Sequence, residues 1–289
     1  MLVAVCAALA AAACFAVAGV LQQRAAARRP DHESLTFALL RQLVRQRLWL
    51  GGIALAFLAY VFQALALASG PLSLVQPIIV SELLFAIPLA ARLGRTRLRA
   101  RDWLGTAAVT GGLASALFAA RPHGGSSVAS PEGWLITLAA VGGLAAASLA
   151  GSRLVAGPVK ASLMALAGGL VMGLQSVLLA STVNRFDEGA VALATAWQTY
   201  LLVAASIGGL LLIQSAFQSG PLAASMPVID ATEPAVAIAV GTALFGESVR
   251  LGWPMGALAA AGAALTLTGI FLLDTSPTLG APGRTEGDS

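Results

Sequence analysis

Charge is what this 289-residue chain has least of. Asp, Glu, Lys and Arg make up 10% of it, whereas a soluble domain carries about 25%. That shortage excludes a well-hydrated globular surface. Cysteine is nearly absent as well: Cys6 and Cys14 both fall in the first apolar run. On a helix they stand ~12 Å apart, too far for a disulfide, so they read as small packed hydrophobes. Histidine is limited to His32 and His123, distant from each other in hydrophilic loops, which leaves no basis for a histidine metal site. Also missing is a basic stretch ahead of the first apolar run. Arginines follow that run instead, the pattern of a retained helix rather than a cleaved signal peptide. A net charge of +4 makes no case for nucleic acid, because the arginines cluster in short loops between apolar runs, as cytoplasmic loops do.

What fills the chain is Leu, Val, Ile, Ala and Gly, with hydrophobic residues at 58%. They come in runs of about 20, long enough to cross hydrocarbon about 30 Å thick. The fold class expected is an all-α polytopic membrane protein with nine transmembrane helices, at about residues 2–21, 48–68, 72–91, 103–120, 134–151, 161–182, 191–213, 222–244 and 253–273. Residues 35–47 are apolar at first and then basic. They read either as an amphipathic helix on the inner surface or as a truncated tenth crossing. Of the 17 Lys and Arg, all but Arg121, Arg185 and Arg250 fall on one side when the N-terminus is placed outside. That bias puts the C-terminus in the cytoplasm of a multi-pass plasma-membrane protein.

The spans repeat. Ser69-Gly70-Pro71-Leu72 recurs as Ser219-Gly220-Pro221-Leu222, and the register holds to Trp103 and Trp253. The two copies run in opposite directions on this topology, which makes an inverted repeat, a plan that recurs in secondary transporters. The organisation expected is a first repeat at 1–120, an external linker at 121–133, a second repeat at 134–274 and a disordered Pro/Gly-rich tail at 275–289. Gly70, Pro71, Gly220 and Pro221 read as hairpin residues, glycine for a tight turn and proline for the first position of the next helix. Gly51-Gly52, Gly111-Gly112, Gly142-Gly143, Gly168-Gly169 and Gly208-Gly209 put small residues where helices can approach closely.

The residues Ala64 to Pro77 (Ala-Leu-Ala-Leu-Ala-Ser-Gly-Pro-Leu-Ser-Leu-Val-Gln-Pro), the long span after them, Asp102-Trp103-Leu104-Gly105 and the second-half turn at Gly246-Glu247 resemble the drug/metabolite transporter superfamily and its EamA-like domains. Four spans before the midpoint and five after, with Leu21-Gln22-Gln23 closing the first, look closest to NIPA-type magnesium transporters. The resemblance implies two inverted halves around a central cavity. Leu93-Gly94-Arg95 departs from the family turn, and the first half lacks a full second span.

Three acids carry the chemistry. Glu82 lies ~16 Å beyond Pro71 along a helix, and Asp230 and Glu233 lie ~13 and ~18 Å beyond Pro221, all near the membrane midplane. A carboxylate there costs about 2.5–3.5 kcal/mol or more unless neutralised, and the spans hold no Lys or Arg core partner. A proton or a bound cation is left. Asp230 and Glu233 share one helix face, and their mutual repulsion favours holding a proton or exchanging it for a cation. All three are therefore candidate ion or metal ligands. Packing residues held permanently protonated are the alternative. Pro77, Pro227 and Pro234 are helix-break candidates that free the carbonyls of Ser73, Ala223 and Asp230, which can coordinate cations. Gln76, Gln175 and Gln198 are candidate cavity residues. Trp103 and Trp253 read as headgroup anchors.

The expected function is alternating-access movement of a small solute, with a divalent cation such as Mg²⁺ as the substrate suggested by the resemblance. Proton-coupled export of an organic metabolite or drug is the alternative, and a non-transporting scaffold is the alternative from another class. No convergent acid/base or nucleophile set points to an enzyme, and no cofactor is implied. The expected partners are the lipid bilayer and the solute, with a homodimer left open.

Overall fold

The computed structural model describes residues 2–30, 33–70, 72–120, 129–183, 189–246, 248 and 252–276. Among these the chain forms twelve helices: α1 (Leu2–Ala26), α2 (Phe37–Leu43), α3 (Arg47–Ser69), α4 (Leu72–Ile79), α5 (Glu82–Leu93), α6 (Ala100–Ala120), α7 (Pro131–Ser152), α8 (Gly157–Val183), α9 (Ala190–Thr195), α10 (Trp197–Ser219), α11 (Leu222–Phe245) and α12 (Met255–Asp274). Eight are long and apolar enough to cross a membrane: α1, α3, α6, α7, α8, α10, α11 and α12. The protein is an all-helical, multi-pass membrane protein.

The expected count of nine long spans is not met, because the run at 72–91 is two shorter helices. Pro77 inside α4 has no N–H for the Ser73 carbonyl, which weakens the ladder. The chain then passes through tight i→i+3 bonds, Ser81 N to Ile78 O at 3.0 Å and Leu84 N to Ser81 O at 3.0 Å, before α5 begins. The run at 191–213 also differs. Ala196 is extended (φ −73°, ψ 123°) and separates α9 from α10. Helix α10 then runs on to Ser219, since its late polar residues find partners on other helices. Residues 131–133 of the expected linker belong to α7, whose first turn is capped by Ser130 Oγ accepting from Gly133 N at 3.0 Å. The rest of that linker from 121 to 128, and the tail from 277, lie outside the described residues. Ser276, at the start of the expected tail, is buried and donates to Asp102. In the segment 35–47 the helix is α2, with 7 residues, ~10 Å long and unable to cross. Its Leu39 and Leu43 are fully buried in the main core.

Helix lengths recur along the chain: 25, 7 and 23 residues in α1, α2 and α3, then 27, 6 and 23 in α8, α9 and α10. Helix α7 stands between the two series. Packing recurs too. In the α1–α3 pair, a Cβ added to Gly70 would lie 2.6 Å from Ala4 Cβ, and one on Gly52 2.9 Å from Gln22 Cγ. In the α8–α10 pair, Gly220 would meet Ala161 Cβ at 2.7 Å, and Gly209 would meet Met172 Sδ at 2.6 Å. Both pairs are antiparallel. Gly70 and Gly220 have extended backbones (φ −163° and −175°) open to any residue, so the expectation that they serve a tight turn is corrected: they serve close approach.

Helices α6 and α12 pack closest of all. A Cβ on Gly112 would fall 2.6 Å from the Gly262 carbonyl oxygen, and one on Gly262 2.6 Å from that of Gly112. Gly269 and Gly105 face each other likewise, at 2.7 and 3.2 Å. The contact is reciprocal and antiparallel, the small-residue packing that lets backbones touch in lipid.

Gly112→Val or Gly262→Val drives side-chain carbons into backbone. We expect a loss of about 1–3 kcal/mol or more, read as a lowered melting midpoint in detergent. Gly111→Val, where an added Cβ meets nothing within 4 Å, should melt as wild type.

Candidate functional site

Two elements carry the acids. The break between α4 and α5 sets Glu82 as the first residue of α5, where the helix N-terminus favours negative charge. Helix α11 runs unbroken through Pro227 and Pro234 and carries Asp230 and Glu233 near its middle. Helix α8 lies parallel to α11 at unusually short range, because Gly169 and Gly173 face it. A Cβ on Gly169 would sit 2.7 Å from Thr232 Cβ, and one on Gly173 2.7 Å from the Glu233 carbonyl oxygen. This approach brings Ser176 Oγ to donate to Glu233 Oε1 at 3.3 Å.

The fold brings the three carboxylates together electrostatically: the charges of Asp230 and Glu233 both act on Glu82, and that of Glu233 acts on Asp230. Tyr60 on α3, which sequence reasoning did not single out, feels Glu233 and Glu82. Among the described residues no Lys or Arg forms an ion pair with them. Among the described residues the one ion pair is Arg29–Glu33, at 3.1 Å. Asp230 Oδ2 is buried without a hydrogen-bond partner, and so is the Ser81 hydroxyl at the α4–α5 break. Among the described residues no group of three His, Cys, Asp or Glu could hold one metal ion by itself.

The glutamines divide. Gln175 neighbours Ser176 and lies level with Glu233. Gln198 is the second residue of α10, buried with an unpartnered Oε1. The side chain of Gln76 lies outside the described residues, as does Pro71. Trp103 and Trp253 are exposed at helix ends.

The bundle differs between its two ends. At the arginine-rich end, side chains tie elements together. Trp49 Nε1 donates to Gln214 Oε1 at 3.1 Å, and Gln214 Nε2 donates to Gln22 Oε1 at 2.8 Å. Gln23 donates to Gly220 O at 3.2 Å and Gln218 to Pro30 O at 2.6 Å. Ser162 Oγ bridges Ala224 O at 3.0 Å and Asp274 Oδ1 at 2.8 Å. Over this stretch residues 222–229 of α11 are buried on every side. From Asp230 to Ala239 every residue is at least partly accessible. The acids therefore stand where the seal ends.

No protein-family model matches the chain, and no solved structure matches it. A protein of Corynebacterium glutamicum described as uncharacterized is 30% identical over 255 residues, which cover 86% of this chain and 87% of that protein. The chain belongs to the family of this corynebacterial protein. The match extends over most of both chains, so the two share a bundle rather than a motif.

Two outcomes follow for stability. Gln214→Leu strands the Gln22 amide and the Trp49 indole, and should cost about 1–3 kcal/mol in a detergent melt. Asp230→Asn replaces a carboxyl that costs stability whenever it is ionised in the bundle by an amide that stays neutral. Its melting midpoint should exceed that of wild type most at the pH values where the wild-type carboxyl is charged, read as detergent melts across pH.

Proposed function

We propose that this protein is a secondary transporter of the drug/metabolite transporter type, working by alternating access between two inverted halves, with Glu82, Asp230 and Glu233 as its proton- or cation-carrying group. The observation that carries the reading is a set of three intramembrane carboxylates with no cationic partner among the described residues, two of them just past the enclosed stretch 222–229 of α11. Acids inside membrane bundles are costly and mark ion or proton pathways.

The recurrence of α1, α2 and α3 in α8, α9 and α10 supports two halves, as do the antiparallel α6 and α12. Helix α7 adds a single crossing between them, which reverses the second half with respect to the first. The halves are redrawn as 2–120 and 157–274, with α7 as the helix that inverts them. A discontinuous helix, α4 with α5, opposite a continuous one fits transporter sites formed at half-helix ends.

Proton coupling to a small solute is the substrate reading the geometry supports best, because among the described residues no group of three ligands stands ready for a bare ion. Magnesium stands as the second reading, on the resemblance. It requires the ion to keep its waters, as Mg²⁺ does readily.

The discriminating experiment uses proteoliposomes loaded with pH-sensitive and Mg²⁺-sensitive dyes, preceded by a melting-shift screen of metabolites and Mg²⁺ across pH. Ligand-driven proton movement in wild type, abolished in Asp230→Asn and Glu233→Gln, is expected. Mg²⁺ uptake without proton movement supports the second reading. Transport and membrane insertion that are both normal in the acid variants would sink the site.

The end asymmetry gives its own test. In a Cys6→Ala/Cys14→Ala background, cysteines at residues 231–239 should show a maleimide-reactive face with spacing of three to four residues. Cysteines at 223–229 should stay silent until the seal opens. Uniform reactivity along α11 contradicts a bundle sealed at the arginine-rich end.

A further inference from the structure

Helix α2 has two faces with different fates. Leu39 and Leu43 point into the core and are fully buried. The opposite face carries Phe37, exposed over 71% of its surface, and Val44, exposed over 48%. Together with Ala38, Leu40 and Arg41 these residues make up one at least partly exposed, mostly apolar strip of the helix. Arg41 belongs to that strip, and Arg45 follows four residues later. Both are exposed, and among the described residues neither is paired with a carboxylate. The helix lies between the end of α1 and the start of α3, among the arginines of the first half.

An apolar strip flanked by unpaired guanidinium groups complements a molecule with a hydrocarbon body and an anionic head. We propose that the outer face of α2 is a binding site for an anionic phospholipid. An acyl chain lies against Phe37, Leu40 and Val44, and the phosphate is held by Arg41 and Arg45.

The test uses the full chain in mixed micelles, titrated with phosphatidylglycerol or phosphatidylcholine. Bound lipid is counted by native mass spectrometry, and melting is followed in parallel. Wild type should retain phosphatidylglycerol in preference to phosphatidylcholine. The double variant Arg41→Gln/Arg45→Gln should hold phosphatidylglycerol roughly thirtyfold less tightly, at about fivefold per surface cation. Its melting in phosphatidylcholine alone should be unchanged, which shows the fold intact. Val44→Ser should weaken retention of both lipids. Equal retention of the two lipids by wild type overturns the proposal. So does a phosphatidylglycerol preference that survives in the double variant, which would assign the effect to the other arginines at this end.

Discussion

In hydrocarbon a polar group without a partner has no water to fall back on, and the layout of this protein follows from that cost. The backbone answers it by being helical almost throughout the described residues. The side chains answer it by collecting at one end, where Gln22, Gln214, Gln218, Ser162 and Asp274 bond across helix boundaries. A membrane protein whose commonest residues are Ala, Leu and Gly has little else that discriminates one helix neighbour from another. The polar bonds at the arginine-rich end supply that discrimination, and the three mid-bundle carboxylates stand out because they fall outside it.

Close approach supplies the rest. Between apolar helices in lipid there is little hydrophobic drive, so contact depends on shape. Gly52 against α1, Gly209 against α8, and Gly169 and Gly173 against α11 each remove a side chain where another must fit. The last pair has a chemical result as well as a packing one: it brings Ser176 within reach of Glu233. The glycines that narrow the α8–α11 gap and the acid that gives the site its charge thus belong to one local arrangement.

Much of this was legible in the sequence. Apolar run length locates most of the long helices, and the Ser-Gly-Pro repeat marks the ends of α3 and α10. The three acids could be named because so few charges interrupt the runs. The failures have physical causes. Run length cannot see the α4–α5 break, since Val80 and Ser81 leave the stretch apolar enough to read as one span. Composition ended α10 too early because Gln214 and Ser215 look like loop residues, and only the tertiary fold reveals that Trp49 and Gln22 satisfy the first of them. Whether the three acids converge depends on the separation between helices, which spacing along one helix does not give. Tyr60 carried no signal beyond being one of 2 tyrosines, and its relation to the acids comes wholly from how α3 packs.

The reciprocal glycine contact between α6 and α12 has a mechanical side. Where two backbones meet with no side chain between them, there is no compressible layer, and sliding by even one residue would bring a bulkier neighbour against the facing carbonyl. Such a contact tolerates rolling about the crossing point far better than separation or translation. The pair is therefore fixed in register at these glycines more firmly than a contact cushioned by side chains would be.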